Sequence, residues 1–219
     1  MGKTVPDSDQ SVLEKVTAFI TRGAGAAQEL LVFRHRAAGV QLPAGTVEAG
    51  EDVEAALWRE VREETRLSGL TLLARLGKEA AVLPPDRRAL LRTVPMLSEP
   101  DAASSAVGLT LRRGLWVREA ATRGGWSWVR SEEYEKQGEA LVVLGATTGW
   151  VPSSALAVRV VRHFFHLGAP ASTPDRWRRE GEPGREFALF WAPLAHNPGL
   201  VAGQAEWLAR FKGRLGERG

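Results

Sequence analysis

Apolar positions along the chain follow two periods, and the changes between them mark the elements. Val16 to Ile20 and Glu29 to Arg36 are short β-favouring runs on either side of the glycine-rich Arg22-Gly23-Ala24-Gly25. They predict two antiparallel strands joined by a turn. Leu42-Pro43-Ala44-Gly45 then breaks the pattern. From Val53 to Leu67 strong helix formers follow one another, with Val53, Leu57 and Val61 repeating every four positions and Asp52 in place to cap the N-terminus. This spacing predicts a helix. Thr71 to Ala81 predicts a further strand, which Leu83-Pro84-Pro85-Asp86 halts.

Between about Arg88 and Ala157 the runs become short and alternating, with turn signals at Arg113-Gly114 and Gly124-Gly125, and the stretch reads as a small all-β unit. Val158 to Leu167 is an apolar strand, followed by a Pro- and Arg-rich loop and a second strand, Phe187 to Trp191. The end is helical, with Gln204, Trp207, Leu208, Phe211 and Leu215 on one face.

Composition narrows the possibilities. A chain of 219 residues, 44% hydrophobic and 25% charged, suits one or two folded domains. No apolar run is long enough to span a bilayer, and the N-terminus lacks a basic region followed by an apolar stretch, so a cytoplasmic protein is expected. The chain has no cysteine, which excludes disulfides, thiolate nucleophiles and thiolate zinc ligands. The pI of about 9.7 suggests nucleic acid, but the net charge is only +3 and comes from scattered arginines. That distribution suits small anionic substrates and ranks nucleic-acid binding last.

Candidate chemistry concentrates in one segment. Gly45, Glu51 and the run Arg59-Glu60-Val61-Arg62-Glu63-Glu64 stand at fixed spacing. At ~100° per residue, Glu60, Glu63 and Glu64 fall within an arc of about 100° on the helix. Three like charges on one patch repel unless a hard cation with oxygen ligands joins them, which points to Mg²⁺ or Mn²⁺. The opposite face, through Val53, Leu57 and Val61, is free to pack on a sheet. Gly45 allows a close backbone approach or a carbonyl turned toward the metal, and the Arg59 fork could pair with Glu51. Arg34 and Arg36, at the end of the preceding strand, could reach phosphates. His163 and His166 are three apart on a strand and so face opposite sides, and are given no metal role.

The segment from Gly45 to Leu67, preceded by Leu42-Pro43-Ala44, resembles the Nudix box, and departs from it at Arg66, where that family prefers Gly. The resemblance implies an α/β/α sandwich with a mixed sheet and a metal-dependent hydrolase. Its substrate would be a nucleoside diphosphate linked to another group, with water as nucleophile. By that likeness Glu60, Glu63 and Glu64 ligate the metal, Gly45 contributes its carbonyl, and Glu51 and Arg59 brace the loop beside the catalytic carboxylates. Glu60 or Glu63 is the first choice of general base, with Glu180, Glu182 and Glu186 as alternatives. A non-catalytic nucleotide-sensing or protein-binding module on the same scaffold is the competing reading.

Thr110 to Val117, Gly125 to Val129 and Thr148 to Leu156 resemble strands of bacterial Src-homology-3-like barrels. The domain reading that follows is a discontinuous hydrolase, 1–88 and 158–219, with an inserted all-β unit at 89–157. Such a unit could bind a peptide or build a homodimer through Trp116, Trp126, Trp128 and Trp150, with at least two of these Trp expected in its core. Trp177 and Trp191 are alternatives between base stacking and core packing.

Overall fold

The computed structural model describes residues 12–35, 39–137, 140–180 and 186–216, with side chains at all of these except 135–137, 140–141, 180, 186 and 202. The chain divides into two compact units: 15–78 with 162–219, and 79–161 with the described part of 1–14.

In the first unit the expected hairpin is present. β1 (Val12–Arg22) and β2 (Glu29–His35) pair antiparallel, with Arg22 opposite Glu29. Two short strands that the sequence pattern concealed follow, β3 (Gly39–Gln41) and β4 (Ala44–Thr46), pairing with β2 and β1 respectively. Each is only three residues long, too short to show a period. Helix α1 (Val53–Thr65) comes next, then strand β5 (Thr71–Val82).

The stretch after β5 is all strand: β6 (Arg87–Leu90), β7 (Val94–Leu97), β8 (Ala106–Leu111), β9 (Trp116–Arg123), β10 (Trp126–Gln137), β11 (Ala140–Pro152) and β12 (Leu156–Ala157). The chain ends with β13 (Arg159–Gly168), β14 (Arg176–Glu180), β15 (Glu186–Pro193) and helix α2 (Ala202–Gly216). β14 corrects the expected Pro- and Arg-rich loop. It is an edge strand, joined only to β15, so its outward arginines never produced an apolar alternation.

The first unit is built on a mixed sheet ordered β14-β15-β2-β1-β13-β5. Strand alternation gives this sheet two apolar faces. Val16, Ala18, Ile20, Leu31, Phe33, Phe165 and Leu167 face one way and pack on Ala56, Leu57 and Val61 of α1. Phe19, Leu30, Val32 and Phe164 face the other way and pack on Leu208, Phe211 and Leu215 of α2. The sheet is therefore sandwiched between two helices. Burying each Leu or Phe side chain contributes about 1.5–3 kcal/mol, so a few such residues fix α1 rigidly on its face.

The second unit contains a curled antiparallel sheet ordered β12-β6-β9-β10-β11-β7-β8. Its interior holds Leu90, Met96, Leu111, Val117, Val129 and Val151. The tryptophans correct the expectation of a Trp core. Along β10, Ser127 and Val129 point inward, so Trp126 and Trp128 take the opposite face and are only half-buried, while Trp116 is 46% exposed. Trp128 stands opposite Trp150 on β11, the rings edge to face at 5.4 Å. Among the described residues no helix is long and apolar enough to cross a membrane.

Candidate active site

α1 begins where expected. The Asp52 carboxylate accepts hydrogen bonds from the amides of Glu54 (2.8 Å) and Ala55 (3.2 Å), two donors that the first helical turn leaves unpaired. It ends at Arg66, which has φ +60° and is the one non-glycine residue of positive φ among those described. The departure from Gly therefore leaves the turn intact and places a side chain in the left-handed region. The Thr65 hydroxyl bonds Val61 O (2.6 Å) and accepts from Leu67 N (3.1 Å), closing the end.

The apolar stripe turns α1 so that its acidic side meets β4. The Glu64 carboxylate accepts from Ala44 N at 2.8 Å and Glu60 from Thr46 N at 3.1 Å. Gly45, between these two amides, lets the Glu60 carboxylate lie against its Cα. A Cβ there would stand 1.8 Å from Glu60 Cδ, so the close approach requires glycine.

Arg59 ties the segment together. Its Nε and Nη2 donate to the two oxygens of Glu51, both at 2.9 Å, and Nη2 also reaches Thr46 O (3.0 Å). Nη1 donates to Glu60 Oε1 at 2.9 Å and lies 3.6 Å from Glu63. The hydrogen bonds that Arg59 donates to Glu51 are the largest cause raising its pKa, against the opposing effect of burial. These contacts use one oxygen each of Glu60 and Glu64. Burial pushes the Glu64 carboxyl up to about 8, with the charges of Glu60 and Glu63 adding to it and the Ala44 amide and Arg179 opposing.

Glu63, its side chain 52% exposed, leans toward Arg59. Among the described residues no group of three or more Asp, Glu or His side chains closes into a metal-binding cluster. Arg34 alternates with Leu30 and Val32 on the α2 face of β2, and lines a cleft of about 480 Å³ with Arg176, Arg178 and Phe190. Arg36 and Glu182 lie outside the described residues, as do the side chains of Glu180 and Glu186.

His166 is buried against the Thr21 hydroxyl (2.8 Å), and burial lowers its pKa. Trp177 and Trp191 are held by packing and by indole hydrogen bonds to Thr65 O and Pro174 O. Sequence reasoning missed Arg179, whose signal was the Arg-Trp-Arg-Arg run of β14. Trp177 and Arg179 alternate there with Arg176 and Arg178.

The sheet is thus sandwiched between two helices, and the capped one presents its carboxylates beside the glycine-containing strand β4. A family model described as the NUDIX domain matches residues 13–139, more than half of the chain, and the chain belongs to this family of pyrophosphohydrolases, which act on nucleoside-diphosphate-linked substrates. A search among curated proteins returns no match.

Proposed function

We propose that residues 44–66 form a catalytic centre that requires Mg²⁺ or Mn²⁺ and hydrolyses the pyrophosphate bond of a nucleoside diphosphate joined to a second group. The observation that carries this reading is the placement of Glu60 and Glu64, whose carboxylates accept from Thr46 N (3.1 Å) and Ala44 N (2.8 Å) on either side of Gly45, with Glu63 beside them on the same helix. A hard divalent cation supplies the positive charge such a group lacks. Glu60 Oε2 and Glu64 Oε1 have no hydrogen-bond partner among the described residues, and with Glu63 and the Gly45 carbonyl they provide a set of hard oxygen donors.

Glu60, Glu63 and Glu64 hold the cation in this reading, and Glu60 or Glu63 takes the proton of the attacking water. Arg59 and Glu51 keep Glu60 in place, whereas Arg34, on the α2 face of β2 and so away from these carboxylates, takes no part. When bound, the metal neutralises the pyrophosphate and acidifies the water. Water attacks one phosphorus, and the bridging P–O bond breaks with its electron pair passing to the leaving phosphate. The β-rich stretch 89–157 is proposed as a Src-homology-3-like insert offering a peptide or homodimer surface, supported by its outward tryptophans.

The test is a panel of ADP-ribose, dinucleotide polyphosphates, nucleotide sugars and damaged nucleoside triphosphates, assayed with Mg²⁺ and Mn²⁺. Wild type is expected to cleave at least one, chelation to stop cleavage, and Glu63→Gln or Glu64→Gln to lower kcat by about a thousandfold. Full turnover in both variants overturns the metal assignment. Tight nucleotide binding without cleavage by wild type overturns the hydrolase in favour of a sensor.

A further inference from the structure

One guanidinium near the carboxylates, that of Arg179, has a buried nitrogen with no hydrogen-bond acceptor among the described residues. Arg179 sits on the edge strand β14, opposite Phe187 of β15, on the sheet face that also carries α1. Two contacts fix its place. Trp177, two residues earlier and on the same face, donates to Thr65 O at the end of α1 (2.8 Å), and the Arg179 guanidinium lies 5.4 Å from the Phe187 ring centroid. From there its charge reaches Glu64 and favours the ionised carboxylate, yet the two form no ion pair. The Nε of Arg179 is buried and has no acceptor among the described residues. A buried charged donor without a partner is costly and uncommon. An anion between Arg179 and Glu64 would satisfy it.

We propose that Arg179 binds a non-bridging phosphate oxygen of the substrate and offsets the charge that builds on the phosphate groups as the bridging bond breaks. This inference rests on the hydrolase reading above. A guanidinium suits the task because its donors match phosphate oxygens in pairs and it stays charged at any working pH. The charge is preorganised, since the aromatic ring below and the strand pairing hold it before substrate arrives.

Arg179→Gln and Arg179→Lys would be compared with wild type on whichever substrate the panel identifies. Arg179→Gln is expected to lower kcat/KM by about a hundredfold, and Arg179→Lys, which keeps the charge and loses the fork, by about tenfold. Imidodiphosphate, a phosphate probe carrying no nucleoside, should inhibit Arg179→Gln at least tenfold more weakly. Mn²⁺ affinity, read by electron paramagnetic resonance, should be unchanged or higher, because a positive charge has left the vicinity of Glu64. Turnover of Arg179→Gln within twofold of wild type overturns the proposal. So does weakened Mn²⁺ binding, or an activity loss wholly matched by loss of folded protein, each of which makes Arg179 a structural residue. If wild type cleaves nothing, the hydrolase reading fails and this inference falls with it. If wild type cleaves and Arg179→Gln matches it, only the inference fails.

Discussion

In the segment from Ala44 to Thr65 the polar side chains are tied to one another, whereas in the hairpin of β10 and β11 the largest apolar ones stand on the outer face. Arg59 alone makes three hydrogen bonds to Glu51 and Glu60, and Gly45 exists in its place because Glu60 fills the space a Cβ would need. Across the hairpin, the rings of Trp128 and Trp150 meet edge to face, while the interior is filled by smaller Val, Leu and Met side chains. Charge is locked in one region and aromatic surface is left accessible in the other. The lesson is that side-chain type alone does not say which groups a fold buries.

The sharpest way to break this comparison is Gly45→Ala. The added methyl must displace a carboxylate that Thr46 N and Arg59 both hold, so kcat should fall on the order of a hundredfold. Thermal unfolding should move little, and an active variant would show that the close approach is not needed. A double-mutant cycle on Trp128→Ala and Trp150→Ala addresses the other side. An edge-to-face pair predicts coupling of about 1 kcal/mol in chemical denaturation, and zero coupling would make the two rings independent. The smallest effect is expected at Arg66→Gly. Relieving a left-handed residue should stabilise the chain by about 0.5–1 kcal/mol, less the entropy glycine adds to the unfolded state. A destabilised variant would mean that Arg66 makes a contact worth more than its strain.

The same contrast explains what could be read from the sequence. α1, its Asp52 cap and its apolar stripe were legible because capping chemistry and a four-residue repeat are local. The carboxylate arc was legible for the same reason, as was the pairing of Arg59 with Glu51. β3, β4 and β14 were not, since very short strands and edge strands carry no clear alternation. The positions of the tryptophans also escaped, because along β10 both alternating sets contain residues able to lie inside. Arg179 was hidden for a further reason: its importance comes from a spatial neighbour more than a hundred residues away, to which no sequence spacing refers.

The discontinuity of the first unit bears on how the chain is made. Residues 15–78 are translated well before 162–219, yet β2 has β15 as a neighbour through seven register pairs from Phe187 and His35 to Pro193 and Glu29. Until that later segment emerges from the ribosome, β2 exposes an unpaired edge and the apolar face destined for α2 is uncovered. Closing so long a loop costs entropy that grows only with the logarithm of its length, so the delay is set mainly by synthesis and by the slow search for non-local strand partners. The strands β6 to β12 pair with one another, so their pairing does not have to await the C-terminal segment. The sheet of the first unit is the part left with an open edge in the meantime, and an open edge is where aggregation starts.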